Sequence, residues 1–233
     1  RERKFSAVEL ARAFCDRLEK LGPRLNALSL PLRDKALAKA RNVDDEIRRD
    51  RLRGPLQGVP CAVKDLLSVA ISPTTWGARP YATQRFDFDA TVIRKLDRAG
   101  AVLTGKLAMV ELAGAGGYRY PSASLTGPGL NPWDLTRWSG GSSSGSGSAV
   151  AAGLTAFALG SETWGSILTP AAFCGVTGLR PTYGLVSRYG AMPLSWTMDK
   201  IGPMCRSAED CGHVLQAISG GDSNDSTSAG KAF

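Results

Sequence analysis

Ser139-Gly140-Gly141-Ser142-Ser143-Ser144-Gly145-Ser146-Gly147-Ser148 contains only glycine and serine, and the reading of this stretch decides the fold. A flexible linker between two domains has the same composition. The flanks argue otherwise: Trp138 precedes the run, and residues 149–159, Ala-Val-Ala-Ala-Gly-Leu-Thr-Ala-Phe-Ala-Leu, are mostly apolar. A Gly/Ser run fused to a buried segment reads as a backbone-rich active-site loop inside one domain. Just downstream, residues 156–160 read as a strand, 161–166 as a tight turn and 170–174 as the start of a packed element.

Working upstream, the apolar run Val59-Pro-Cys-Ala-Val-Lys64 lies between Gly58 and Asp65 and predicts a buried strand. Asp89 is placed to cap a helix running to Arg98, Gly100 ends it, and residues 101–104 form the next strand. At the start, Ser6 with Glu9 three residues on is a capping box opening an amphipathic helix to about Leu21, stopped by Gly22-Pro23. A second helix, mostly polar and exposed, is expected over residues 31–50. Near the end, Ser207-Ala-Glu-Asp opens a helix that carries His213. Helices alternating with strands predict an α/β sheet.

The 233 residues, 43% of them hydrophobic, are enough to bury a sizeable core. No stretch approaches ~18 consecutive apolar residues, so no membrane span is expected, and residues 1–5 carry no apolar signal segment. Residues 1–53 hold 15 of the 29 lysines and arginines and 9 of the 21 acidic residues, or +6 of the net +8. Those charges interleave, as in Asp44-Asp-Glu-Ile-Arg-Arg49, which reads as solvated helix faces rather than a direct nucleic-acid surface. The five cysteines (15, 61, 174, 205 and 211) are irregularly spaced, as suits reduced, buried thiols in a cytoplasmic protein. With one histidine and no Cys-x-x-Cys, no metal site is expected.

Two familiar motifs fail. Gly100-Ala-Val-Leu-Thr-Gly105-Lys106 lacks the Ser or Thr a phosphate-binding loop needs next, since Leu107 stands there, and its first glycine ends a helix. Gly141-Ser-Ser143-Ser-Gly145 fits the nucleophile elbow of α/β-hydrolases, but a Ser/Gly tract produces that pattern trivially. An elbow also needs a histidine base, and a helical His213 reads as structural. An α/β-hydrolase whose histidine lies beyond residue 233 stays open as a rival. Without histidine, a serine nucleophile can use a lysine whose pKa burial lowers. Lys64, ending an apolar strand, fits that need, although a lysine there can also snorkel outward or pair with Asp65. Strand alternation sends the Asp65 side chain to the opposite face from Lys64.

Three segments carry a closer resemblance. Gly58-Val-Pro-Cys-Ala-Val-Lys64-Asp65 resembles the lysine motif of the amidase signature family. Gly140 through Gly153 resembles its Gly/Ser loop. Gly160-Ser-Glu-Thr-Trp-Gly-Ser166-Ile-Leu-Thr-Pro170, continuing through Thr182-Tyr-Gly, resembles its nucleophile loop. The segments fall in family order, and the 24 residues from Ser142 to Ser166 match the family's spacing. The resemblance implies a mixed twisted β-sheet flanked by helices on both faces, with Lys64, Ser142 and Ser166 converging at one edge of its core. It makes residues 1–53 a helical lead-in and 54–212 the catalytic core of one domain. Family members run to about twice this length, so the sheet is expected to be incomplete at its C-terminal side. Ser166 would attack an amide carbonyl, and Ser142, after a cis peptide bond from Gly141, would relay the proton to neutral Lys64. The N–H groups of Thr163, Trp164, Gly165 and Ser166 would form the oxyanion hole, and Gly116 and Gly117 would contact substrate. No cofactor is implied. The partner implied is a small-molecule amide, and a homodimer is compatible with it.

The chain departs from the family's usual wording at three positions: Glu162 stands for Asp, Trp164 for Gly and Leu168 for Arg. None removes a reacting atom. Trp164 must hold a φ that a side chain tolerates, and its indole would either narrow the pocket or pack behind the loop. A second member type is the glutaminase component of a tRNA-dependent amidotransferase. These departures count against it, as does Glu111-Leu-Ala-Gly-Ala-Gly-Gly-Tyr118 in place of a Met-Gly-Gly-Ser wording. A non-catalytic relative is the third reading.

Overall fold

A computed structural model describes residues 4–114 and 123–233. Eight strands and six α-helices appear among them: α1 (Ala7–Leu21), β1 (Leu28–Pro31), α2 (Arg33–Arg48), β2 (Pro60–Lys64), α3 (Thr91–Arg98), β3 (Val102–Leu107), β4 (Leu130–Asn131), β5 (Asp134–Trp138), α4 (Ser144–Ala151), β6 (Phe157–Glu162), α5 (Leu168–Cys174), β7 (Thr177–Gly178), β8 (Lys200–Cys205) and α6 (Ala208–Ile218). Six strands build one sheet in the order β1-β3-β2-β6-β8-β7, and β4 pairs with β5 as a separate ribbon. The central β3-β2-β6 strands run parallel, while β1 and β8 join antiparallel at either side. The sheet is therefore mixed, as expected.

Central parallel strands must be apolar on both faces, because helices cover both. In β2 the alternation is clean. Cys61 and Val63 enter one core with α3 and α6 residues such as Ile93, Leu96, Val214 and Ile218. Ala62 enters the other with Leu18 of α1, Val150 of α4 and Ala171 of α5. Period two then assigns Lys64 to the α4 face and Asp65 to the far one.

The capping box at Ser6 and Glu9 forms with both bonds present. Helix α2 begins at Arg33 and is less exposed than its composition suggests: Ala36, Ala40 and Val43 pack against Ala7, Ala11 and Cys15 of α1 and against Val102. Its charges are engaged locally, with Arg33 bridging Asp16 and Glu19 and Arg53 meeting Glu46. Strand β1, unannounced in the sequence, lies just ahead of α2. Asp89 does not cap α3. Ala90 holds that position without a side-chain cap, and Asp89 Oδ1 accepts from the Ala70 N–H at 2.8 Å instead.

The Gly/Ser run is a loop only in its first half. From Ser144 it is a buried helix, α4. A Cβ on Gly145 would lie 2.4 Å from the Ala27 carbonyl oxygen and 2.6 Å from the Ala108 nitrogen, and one on Gly147 would lie 2.9 Å from the Pro170 carbonyl oxygen. Glycine is thus required for α4 to seat against its neighbours' backbone. Gly105 and Lys106, the end of the rejected phosphate-loop motif, lie inside β3. Among the described residues no helix is long and apolar enough to cross a membrane, and all five cysteines are unpaired and buried.

Candidate active site

Lys64 ends β2 with no solvent exposure. It neither snorkels nor pairs with Asp65. Its Nζ donates to Ser142 Oγ at 2.7 Å and to Ser161 Oγ at 3.0 Å. Burial pushes the Lys64 ammonium down from 10.5 to about 7, against the charges of Asp199 and Glu162, which pull it upward. The neighbouring β6 explains the Ser161 contact. Parallel pairing of Val63 with Leu159 puts the next β2 residue beside Gly160 and Ser161. Ser161 was not among the expected site residues. The signal available was its place as a serine directly after the apolar run 156–160.

Ser142 follows a cis peptide bond from Gly141 and is fully buried. Its carbonyl accepts from the Val110 N–H at 3.1 Å, and the next N–H, of Ser143, donates to the Ser166 carbonyl at 3.2 Å. These bonds bring Lys64, Ser142 and the buried Ser166 into one site.

The segment 163–167 is held by a residue that sequence reading treated only as a departure. The fully buried Glu162 carboxylate accepts from the N–H groups of Ile167 at 2.8 Å and Leu168 at 2.9 Å and meets Arg180 at 3.3 Å. The first N–H of α5 is thereby satisfied, and a negative charge is favoured at a helix N-terminus. Thr163 is fixed from the other side: its Oγ1 donates to Asp199 Oδ1, and Lys200 Nζ donates to its carbonyl at 3.0 Å. Asp199 Oδ2 in turn accepts from the N–H groups of Leu194 and Ser195. The N–H groups of Trp164 and Gly165 have no acceptor among the described residues. Trp164 does not adopt a positive φ, and the residue is 88% exposed, so the indole does not pack behind the loop. Gly116 and Gly117 lie outside the described residues.

His213 sits on the outer part of α6 near Glu209 and borders a hollow with Pro55 and Leu56, at the end of β2 opposite Lys64. It takes no part in this site. Among the described residues no group of three or more His, Cys, Asp or Glu is arranged to hold a metal ion.

A strand-end lysine with a lowered pKa, bonded to a serine beside a second serine, is an arrangement for acid–base chemistry at a hydroxyl. The model of the amidase family matches residues 9–232, and the chain belongs to that family. It is 47% identical over 227 residues to the A subunit of the glutamyl-tRNA(Gln) amidotransferase of Carboxydothermus hydrogenoformans, covering 97% of this chain and 46% of that protein. It is 44% identical over 225 residues to the putative amidase AmiD of Mycobacterium tuberculosis, with 97% and 46% covered. The native peptide amidase from Stenotrophomonas maltophilia superposes with a TM-score of 0.89 at 40% identity, over 98% of this chain and 47% of that one. The chain thus spans about half the length of the relatives it matches.

Proposed function

We propose that this chain carries the reacting groups of an amide hydrolase working through a seryl acyl-enzyme. Neutral Lys64 draws a proton through Ser142 from the Ser166 hydroxyl, and Ser166 Oγ attacks the amide carbonyl. The oxyanion is received by the N–H groups of Thr163, Trp164, Gly165 and Ser166. The relayed proton passes to the departing amine as the C–N bond breaks. Water then enters by the same relay and hydrolyses the ester, freeing the acid and Ser166. The observation that carries this reading is the 2.7 Å contact of a fully buried lysine with Ser142, with burial favouring the neutral amine that a base requires. The substrate is a small-molecule amide, and the free thiols speak for a reducing, cytoplasmic setting.

The test is fluorophosphonate labelling of Ser166 together with a hydrolysis screen over aryl, alkyl and amino-acid amides. A Ser166→Ala variant that still hydrolyses amides at the wild-type rate sinks the mechanism, and an unlabelled wild type favours a non-catalytic relative. A second reading, a glutaminase component passing ammonia to a partner, is favoured by the 47% identity to an amidotransferase chain, despite the departures at Glu162, Trp164 and Leu168. Ammonia release from glutamine, with and without a partner protein, separates the two.

A further inference from the structure

The sheet buries a second lysine. Lys106, on β3 beside β2, is as fully enclosed as Lys64. In the ladder Val63 faces Lys106 and Lys64 faces Leu107, so the two lysines project from opposite faces of the sheet. Lys106 Nζ lies 2.6 Å from Asp65 Oδ1, an ionic contact outside hydrogen-bond alignment. It also donates to Thr74 Oγ1 at 2.6 Å and to the Pro73 carbonyl at 2.8 Å. Asp65 Oδ2 accepts from Ser29 Oγ at 2.6 Å and from Thr75 Oγ1 at 2.5 Å. Four segments meet in this knot: β1 through Ser29, the end of β2 through Asp65, the 73–75 loop, and β3 through Lys106.

Both ends of the Lys64–Ser142 contact are tied to it. Asp65 follows Lys64 directly, and its N–H donates to the Leu107 carbonyl at 3.0 Å. Its carbonyl accepts from Trp76, whose own carbonyl accepts from Leu112. The stretch after β3 held in this way presents the Val110 N–H to the Ser142 carbonyl and the Ala108 carbonyl to the Gly145 N–H. Removing one partner of a buried ion pair leaves an uncompensated charge, so the contact holds the strands that carry Asp65 and Lys106 against each other.

We propose that Asp65 and Lys106 are a positioning pair for the Lys64–Ser142 contact, fixing from the far face of the sheet the backbone that presents both groups. The inference rests on the reading of Lys64 and Ser142 as the proton relay. The charged groups around Lys64 are Asp65 directly after its strand, Glu162 from β6 with Arg180 against it, Asp199 just before β8, Lys200 at the start of β8, and Lys106 on β3. Removing the knot therefore alters the field at Lys64 as well as its placement.

The test is the rate at which a fluorophosphonate labels Ser166 in the purified protein, against probe concentration and pH, with thermal unfolding as the check on folding. The decisive variant is the double Asp65→Asn, Lys106→Met, which leaves no lone charge in the core. Its maximal labelling rate should fall by at least about 30-fold, since a misplacement near 1 Å costs on the order of 10²-fold. The half-saturating probe concentration should stay within about twofold, because the pair touches no substrate. The rising limb of the pH profile should also move. A merely structural pair would lower the melting temperature and leave rate and profile alone, and that result overturns the proposal. If the double variant does not fold, Ser29→Ala decides. It takes one hydroxyl from Asp65 and no charge from the core, and it should slow labelling about threefold, since only part of that bond's contribution reaches the Lys64–Ser142 contact. A folded Ser29→Ala labelled at the wild-type rate overturns the proposal in its turn. Ser166→Ala and Lys64→Ala run alongside: labelling of the first, or full activity in the second, brings down the relay itself and not this inference alone.

Discussion

Lys64 makes stability depend on pH in a way that a methionine in its place cannot. In the folded chain burial holds its ammonium near 7, while in water a lysine titrates near ~10.4. Between those values the unfolded chain binds a proton that the folded chain releases. The unfolding free energy therefore rises with pH through that window, at about 1.4 kcal/mol for each pH unit. Below pH 7 both states are protonated, and the folded one bears the full cost of an enclosed ammonium, on the order of 4–5 kcal/mol. Above about 10.4 both states are neutral and the cost is gone. The side chain has no exposure, so solvent screening does not reduce the effect. Lys64→Met keeps most of the volume and removes the titration. From pH 6 to pH 9 the wild type should gain about 2–3 kcal/mol on the variant, or about 5–10 °C in melting temperature for a domain of this size. The variant should be the more stable protein at pH 6, and its advantage should shrink as pH rises. Urea or thermal unfolding of both proteins across that range measures the gap. A gap constant to within about 1 kcal/mol from pH 6 to pH 9 would refute a burial-depressed Lys64.

The same ionisation should govern labelling of Ser166, rising through a midpoint near 7 and staying high into the alkaline range. A midpoint there does not by itself tell lysine from histidine, whose ordinary value is close to ~6.5. The variants do. Lys64→Ala should lose the limb and most of the rate, whereas His213→Ala, altered at the other end of β2, should keep both. Ser166→Ala should lose essentially all amide hydrolysis yet melt like the wild type, and Ser142→Ala should lose on the order of 10³-fold while keeping a residue of turnover; steady-state assays and thermal melts check both. Glu162→Ala strands the buried N–H group of Ile167 and the part-buried one of Leu168 and should cost about 1–3 kcal/mol in urea unfolding. Gly145→Ala forces a Cβ to within 2.4 Å of the Ala27 carbonyl oxygen and should destabilise by about 3 kcal/mol or more, read by the same method. Cys174, whose thiol burial pushes up to about 12, should resist iodoacetamide in the native protein and react fully once unfolded.

The residues that sequence reading missed share a physical cause: their roles are set by partners far away in the chain. The lysine of β2 was legible because a charged residue closing an apolar strand contradicts its surroundings. Helix α4 was not, since Ser-Gly-Ser-Gly-Ser has poor helix propensity, each glycine costing about 1 kcal/mol relative to alanine. What makes it helical is the fit of Gly145 and Gly147 against Ala108, Ala27 and Pro170, and none of these is a sequence neighbour. Asp89 was legible as a capping residue type, but a closer use for its carboxylate, the Ala70 N–H, lies nineteen residues upstream. Lys106 carries the same signal as Lys64, a lysine inside an apolar strand, but the failed phosphate loop around it masks that signal. Period-two reasoning did succeed for Asp65. Its side chain turns away from Lys64, and the alternation that sends it there delivers it to Lys106.

Two lysines buried on adjacent strands thus sit in opposite surroundings, and the difference lies in what each one touches. Burial lowers the pKa of both. At Lys106 a carboxylate 2.6 Å away opposes that effect, so the ammonium keeps a reason to stay charged and the pair acts as a fastener. At Lys64 the contacts are hydroxyls, of Ser142 and Ser161, each able to accept from an ammonium or donate to an amine. The carboxylates that could recharge it are occupied. Glu162 is held by the N–H groups of Ile167 and Leu168 and by Arg180, and Asp199 by those of Leu194 and Ser195 and by the Thr163 hydroxyl. A group surrounded in this way changes protonation state without stranding a partner in either one. A proton relay through Ser142 requires that tolerance, and the fixed charge pair on the other face of the sheet could not supply it.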